Sequence, residues 1–235
     1  MVCFVYCITE SSHKGTLVSS EQVFGFGFDA RTKEYKLVRI VIVMYEVATY
    51  LKAEVFTLGK KGCRFSKFGP EFVCPYQSSD VGVSGAIHWL CEDLNPTSID
   101  PKSRIIVSCD LFEEKFYQIP KPDIEINESC KISVLGECLA ITGDFSKRCG
   151  RHEVHIWLLK EYGVKESWTK EYVIGERFGR LYPLFLLNSG NIVMSDESQT
   201  VCCYDPKRDS SEAYVELDQP IVAIHHVPSL VSPFF

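Results

Sequence analysis

The feature that most limits what this chain can fold into is a pattern that returns about every 50 residues. Its clearest copy is Lys160 to Trp168, Lys-Glu-Tyr-Gly-Val-Lys-Glu-Ser-Trp, set between the apolar run Val154–Leu159 and the extended run Trp168–Ile174. Gly163 supplies the positive-φ position that a reversal needs, and flanking charges suit a solvated turn. Both arms are rich in β-branched and aromatic residues, which points to a β-hairpin rather than a helix. Val154, Ile156 and Leu158 share one strand face, and His155, Trp157 and Leu159 share the other. Few polar positions survive on either face, so this strand is expected to be covered on both sides.

The same cassette of strand, polar turn and strand with an aromatic anchor recurs. The anchors Phe65, Phe116, Trp168 and Tyr214 stand 51, 52 and 46 residues apart. Glycine-led apolar runs at Gly85, Gly136 and Gly190 keep similar time, at intervals of 51 and 54. Several short strands per repeat, at this period, predict blades of a kelch-like β-propeller. The fold class expected is therefore all-β: about four blades plus a terminal strand, with nothing in the sequence to show how the ring would close.

Read in order, Val2–Ile8 is a strand, and Thr9–Gln22 is polar. Val23–Asp29, Tyr35–Met44, Tyr50–Leu58 and Arg64–Phe68 make the first blade, and Gly69–Gly82 is a connector holding Pro70 and Pro75. Gly85–Cys91, Arg104–Asp110 and Lys115–Ile119 make the second, closed by Pro120 and Pro122. Lys131–Gly143, His152–Leu159 and Ser167–Ile174 make the third. Leu181–Leu187, Asn191–Ser195, Thr200–Asp205 and Glu212–Leu217 make the fourth, and Ile221–His226 is a last strand. No stretch carries the 3.6-residue periodicity of an amphipathic helix. The expected organisation is an N-terminal strand or remnant over 1–22, a propeller domain over 23–232 and a tail over 233–235.

Bulk composition excludes more than it proposes. A net charge of −6 with no Lys/Arg cluster argues against a nucleic-acid surface. No apolar run approaches the ~18 residues of a membrane helix, and Ile40–Tyr45 reads as a buried strand. Eleven cysteines are odd in number and scattered, and Met1–Ile8 lacks a basic leader. They are expected to be small buried hydrophobes in a reducing compartment, cytoplasmic or nuclear. Asn127-Glu128-Ser129 matches a glycosylation sequon, which has meaning only in a secreted chain.

The motifs for chemistry each meet a physical obstacle. Gly25-Phe26-Gly27-Phe28-Asp29-Ala30 fits a dinucleotide pattern, but β sequence follows it where a helix would have to open. A glycine-relaxed strand end is the expectation. Gly82-Val83-Ser84-Gly85-Ala86 approaches a nucleophile elbow but lacks the last glycine and the helix, so it reads as a turn. His152 and His155 fall on opposite strand faces, as do His225 and His226, and Cys202 and Cys203. Cys3 and Cys7 have no second pair at metal-ligand spacing. Glu92-Asp93 and Glu113-Glu114 are expected in solvated turns, and Trp89, Trp157 and Trp168 between blades. No catalytic, cofactor or metal residue is assigned.

An ordered set of segments then resembles the type 1 F-box-associated domain of plant F-box proteins, including the S-locus F-box group. Phe24-Gly25-Phe26-Gly27-Phe28-Asp29 with Glu34-Tyr35-Lys36-Leu37-Val38-Arg39 is similar to that family's opening. Gly85 to Leu90, Ile106 to Leu111, Phe116 to Pro120 and Leu135 to Leu139 follow in order. Val154 to Lys170 is the most diagnostic piece, and Tyr204-Asp205-Pro206-Lys207 and Ser229-Leu230-Val231-Ser232 match the close. The resemblance implies a non-enzymatic propeller, without cofactors, that captures a target protein for ubiquitination. In the family an N-terminal helical F-box docks on the adaptor of a cullin-RING ligase. Residues 1–22 contain nothing like one, so adaptor binding is not expected of this stretch. Loops on rigid β scaffolds usually carry recognition, which makes Glu92–Lys102 and Phe145–Arg151 the candidate target-binding loops. Two other readings stay open: a propeller-class hydrolase acting on sugars, which needs ionisable groups converging in a pocket, and a truncated fragment whose edge strands are left unpaired.

Overall fold

A computed structural model of the chain describes residues 17–45, 48–66, 73–75, 79, 81–93, 104–127, 129–144, 153–175, 181–196 and 201–215. Val2–Ile8 and Ile221–His226 lie outside the described residues. Sheet 1 holds β1 (Leu17–Asp29), β2 (Glu34–Tyr45), β3 (Ala48–Thr57) and β4 (Arg64–Ser66), antiparallel and in chain order. β1 starts at Leu17, well before the expected Val23, because Leu17 to Gln22 pair with Tyr45 to Val41 in the long hairpin.

Sheet 2 runs β5 (Val73–Pro75), β7 (Ala86–Asp93), β8 (Arg104–Asp110), β9 (Lys115–Ile119), with β6 (Gly82–Val83) also pairing β7. The expected connector Gly69–Gly82 thus contains strand: Val73 to Pro75 pair Asp93 to Cys91. Pro75 is tolerated because β5 is an edge strand, where no ladder donor is missed on the open side. Glu92 and Asp93, expected in a turn, belong to β7.

Sheet 3 holds β10 (Lys131–Leu135), β11 (Cys138–Asp144), β12 (Val154–Leu159) and β13 (Trp168–Ile174). Lys131–Gly143 is therefore two strands, not one. Gly136 at φ 65° and Glu137 turn the chain between the paired residues Leu135 and Cys138, a two-residue hairpin that needs positive φ at its first position. Sheet 4 holds β14 (Leu181–Leu186), β15 (Ile192–Asp196), β16 (Val201–Asp205) and β17 (Ser210–Val215). Among the described residues the only helical turn is the 3-10 turn Lys165–Ser167.

All four anchors lie on the last strand of their sheets: Phe65 on β4, Phe116 on β9, Trp168 on β13 and Tyr214 on β17. The repeat is one blade, and the four antiparallel blades among the described residues are arranged as a β-propeller, which those residues do not close. Three apolar seams join consecutive blades. Val38, Ile40 and Val55 of sheet 1 meet Ile87, Trp89 and Val107 of sheet 2. Ile106 and Ile119 of sheet 2 meet Leu139, Ile141 and Trp168 of sheet 3. Ala140, Ile156 and Leu158 of sheet 3 meet Ile192, Met194 and Tyr204 of sheet 4. Each fully buried branched side chain is worth about 1.5–3 kcal/mol relative to exposure.

Strand alternation explains why the middle blades read as continuous apolar runs. On β8, Ile105, Val107 and Cys109 face sheet 1 while Ile106 faces sheet 3. On β12, Val154, Ile156 and Leu158 face sheet 4 while Trp157 and Leu159 face sheet 2. The cover on both faces expected for β12 is what its buried pattern shows. Trp89 packs at the first seam, and Trp157 and Trp168 at the second, as expected of rings between blades. Phe116 and Trp168 occupy matching places, each reaching from its own sheet toward the preceding one.

Candidate recognition surface

In an up-and-down sheet the first and third turns lie at one end. The short turns of all four blades therefore share one face of the propeller. Three of them use one local recipe. A strand-ending aspartate accepts backbone N–H groups two or three residues ahead, and the last turn residue takes positive φ. Asp29 accepts from the Arg31 amide at 3.0 Å and from the Thr32 hydroxyl at 2.7 Å, with Lys33 at φ 56°. Asp110 accepts from the Phe112 and Glu113 amides, both at 2.8 Å, with Glu114 at φ 58°. Asp205 accepts from the Lys207 and Arg208 amides at 2.9 and 3.3 Å, with Asp209 at φ 47°. An aspartate four residues before such a position is a signal legible in the sequence.

A buried ionic cluster locks the turn end of sheet 1 to that of sheet 2. Lys36 is 1% exposed; its Nζ donates to the Leu111 carbonyl and, at 2.8 Å, to Glu114 Oε1, with Asp29 Oδ2 4.0 Å away. Arg64 Nε reaches the other oxygen of Glu114 at 2.8 Å. Burial pushes the Asp29 carboxyl up, but the Thr32 hydroxyl, the Arg31 and Thr32 amides and Lys36 outweigh it and hold the group below its ordinary value. Glu114 corrects the expectation of a solvated pair. It is 9% exposed and ion-paired, because its positive-φ backbone turns the side chain inward over Lys36, while Glu113 stays outside. The Tyr117 hydroxyl donates to Glu113 at 2.6 Å, and with Lys115 it keeps that carboxyl below its ordinary value.

A second polar contact joins sheet 2 to the β12–β13 turn of sheet 3. His88, fully buried, has Nδ1 3.0 Å from the Val81 carbonyl and Nε2 2.8 Å from the Tyr162 hydroxyl. A carbonyl only accepts, so Nδ1 carries the proton and Nε2 accepts from tyrosine. Burial holds the His88 pKa down at about 4, against a smaller upward pull from the Val81 carbonyl. With both ring nitrogens engaged and no exposed surface, His88 positions the turn and offers no base to a substrate.

The motifs that approach chemical signatures land in structural places. Gly25 and Gly27 lie within β1, not at a relaxed strand end. A Cβ on Gly25 would stand 2.3 Å from the Trp89 ring, and one on Gly27 2.9 Å from Leu111, so these glycines let sheet 2 approach closely. Ser84 and Gly85 form the hairpin turn between β6 and β7, at φ 54° and 76°. His155 pairs with Glu153 at 3.3 Å. Cys202 faces the third seam, while its neighbour Cys203 accepts from the Asn191 amide at 3.7 Å. Among the described residues no group of three or more His, Cys, Asp or Glu side chains could hold a metal. Cys3, Cys7, His152, His225 and His226 lie outside the described residues, as do loop Phe145–Arg151 and loop Glu92–Lys102 beyond Asp93.

The described surface richest in recognition-type side chains is the face of sheet 1 turned away from sheet 2. Cross-strand pairing places Phe26, Leu37 and Phe56 in one row and Phe28, Tyr35 and Leu58 in the next. Phe26 and Tyr35 stack with ring centroids 5.6 Å apart and planes at 2°, and Phe28 lies 4.9 Å from Tyr35. Phe26 is 46% exposed, Phe28 37% and Leu58 49%. Beneath the rows Arg39 pairs with Glu54 and stands 5.6 Å from the Phe56 ring centroid. At the turn end Arg31 covers the exposed Phe112 ring at 4.9 Å. No reading of the sequence singled out this surface, although the alternate Phe24, Phe26 and Phe28 of β1 were legible as one strand face.

Comparison with known proteins adds a lineage. The family model described as the F-box associated beta propeller domain matches residues 7–232. An F-box protein of Arabidopsis thaliana is 30% identical over 234 residues, covering 80% of this chain and 53% of its own length. An F-box/kelch-repeat protein of the same plant is 22% identical over 187 residues, covering 77% and 48%. An F-box/LRR-repeat protein is 27% identical over 203 residues, covering 80% and 44%. The chain spans about half the length of the curated relatives it matches.

Proposed function

Because the chain belongs to the F-box associated β-propeller family, we propose that it is a non-enzymatic protein-recognition module, the target-capturing part of an F-box-type ubiquitin ligase receptor. The observation that carries this reading is the match to the F-box associated propeller family over residues 7–232, on blades that consecutive apolar seams hold rigid. Lys36 and its partners fix the turn ends of sheets 1 and 2 together, and Trp89 fills the hollow at Gly25. Loops and turns held on such a scaffold have the makeup of a protein-recognition module. Target binding needs no chemistry on the module itself; transfer of ubiquitin would be performed by the ligase it delivers to.

The test is affinity purification of this chain beside a version with an F-box fused in front. The expected result is one set of specific target proteins with both, and ligase adaptor and cullin only with the fusion. Loss of the shared target set, with the chain shown folded by a cooperative melt, would overturn the reading.

A further inference from the structure

In a propeller both faces of a blade are stacking faces, so exposed rings on the outward face of sheet 1 mark a seam rather than a docking site. Outside sheet 1, the exposed aromatic side chains among the described residues are Phe112, Tyr117 and Tyr162. They lie on the β8–β9 turn, on β9 and on the β12–β13 turn, in blades 2 and 3, each of which has a described blade on both sides. Arg31 covers Phe112, which leaves the two tyrosines. His88, Ser108 and Tyr117 pair directly across β7, β8 and β9, so they form one row on the face of sheet 2 turned to sheet 3. Tyr162 crosses to that row from the β12–β13 turn and donates to His88, its ring edge-on to the imidazole at 5.6 Å. Tyr117 ends the row and donates to Glu113 at 2.6 Å. Each phenol is thus tied by its hydroxyl, while the ring stays 44% exposed in Tyr117 and 37% in Tyr162. The Glu113 hydrogen bond raises the Tyr117 phenol above its ordinary value, and burial raises that of Tyr162. The Asp110 charge pushes both the same way, so this carboxylate lies near both hydroxyls.

The cations around these rings are engaged: Lys115 pairs with Glu113 at 3.5 Å, Lys160 with Glu171 at 3.0 Å and Lys165 with Asp123 at 2.7 Å. Glu161 and Glu166, on the same turn as Tyr162, are exposed and enter no ion pair among the described residues. Negative charge is therefore in excess beside two fixed aromatic rings. We propose that this junction of sheets 2 and 3 seats an arginine-bearing, basic segment of the captured protein, a guanidinium laid on the Tyr117 and Tyr162 rings and turned toward Glu113 and Asp110. This seat rests on the recognition reading above and names the chemistry of the target. A planar guanidinium stacks on an aromatic face and meets a carboxylate with paired N–H groups, which the compact ammonium of lysine does not match. Rings already held by their hydroxyls lose little freedom on binding. Charge complementarity disfavours an acidic partner, and a second copy of this chain of net charge −6.

The test uses the intact chain and a fluorescein-labelled peptide alternating arginine with serine, read by anisotropy. Two control peptides replace arginine by lysine or by glutamate. The arginine peptide is expected to bind, the lysine peptide roughly fivefold more weakly and the glutamate peptide at least a hundredfold more weakly, and added salt to weaken the first two. Tyr117→Ala should cost roughly tenfold, whereas Tyr117→Phe, which keeps the ring, should stay within about twofold. Glu113→Gln should cost roughly fivefold, and Glu21→Gln, an exposed acid on sheet 1, nothing. Equal binding of the arginine and lysine peptides to the unaltered chain would overturn the proposal, and that arm decides the matter even where a variant fails to fold. Equal losses from Glu113→Gln and Glu21→Gln would overturn it too, as bulk charge attraction. So would a dimer in light scattering that Tyr117→Ala dissolves, since a second copy would then cover the rings. Specific target capture that survives Tyr117→Ala with Glu113→Gln would remove the seat while leaving the recognition module standing; no specific capture by the unaltered chain would remove the module itself.

Discussion

Lys36 shows how one side chain sets the geometry of two blades. It is a long cation 2% exposed at its side chain, and three oxygen-bearing groups surround it: the Leu111 carbonyl, Glu114 and Asp29. A buried ion pair adds little over a well-packed apolar pair, but removing one partner strands the other. Lys36→Met should therefore destabilise the fold by about 2–3 kcal/mol, toward the low end for a broken buried pair because Arg64 still holds Glu114. Lys36→Met with Glu114→Gln should recover much of the loss. Urea denaturation of the two variants checks both values, and equal losses would mean that the contribution is packing rather than charge. Nothing in the sequence marks this pair. Its members are 78 residues apart, and Glu113-Glu114 reads locally as an ordinary polar turn. Only the positive φ of Glu114 separates the buried acid from the exposed one.

At the scale of elements, β7 and the β12–β13 turn are coupled through a histidine that must stay neutral. Its pKa of about 4 in the fold lies below the ~6.5 of an unfolded chain, so between these values the unfolded state binds the proton first. Stability is then full above pH ~6.5, falls as pH drops through the window, and levels off below about 4; the total is of order 3 kcal/mol. The carboxylates held low, Asp29, Glu34 and Glu113, add their own losses only nearer their ordinary range, so among the described groups with shifted pKa values the interval from pH 6.5 to 5 reports His88. Thermal midpoints across that interval should fall for the unaltered chain and stay nearly flat for His88→Asn. A parallel decline in both would assign the effect elsewhere. The strands themselves were largely legible. β8, β9, β12 and β13 fall close to where β-branched runs and turn residues place them, because their period and punctuation are local. β5 was hidden, since three residues ending in Pro75 look like connector until β7 is there to pair them. β10 and β11 were merged because Gly136 is one glycine in an apolar run, and only the pairing of Leu135 with Cys138 shows it to be a turn.

For the whole molecule, the tandem repeat carried the architecture from sequence to structure. Four aromatic anchors at matching intervals became the last strands of four sheets, and glycine-led runs became second strands, because a stacked blade must repeat its turns and its two apolar faces. The candidate site was less legible. Exposure of Phe26 and Phe28 depends on which face of sheet 1 the other described sheets cover, and that is a property of how blades stack rather than of β1. The fold stands on consecutive blades meeting through the three seams, and nuclear Overhauser contacts across them test it most directly. The expected pattern is Gly25 Hα to the Trp89 indole, Pro120 to the Trp168 indole and Gly136 Hα to the Leu186 methyls, one for each seam. Contacts confined within each sheet, with Trp89 and Trp168 lying in surroundings that share no residue with the preceding blade, would contradict it.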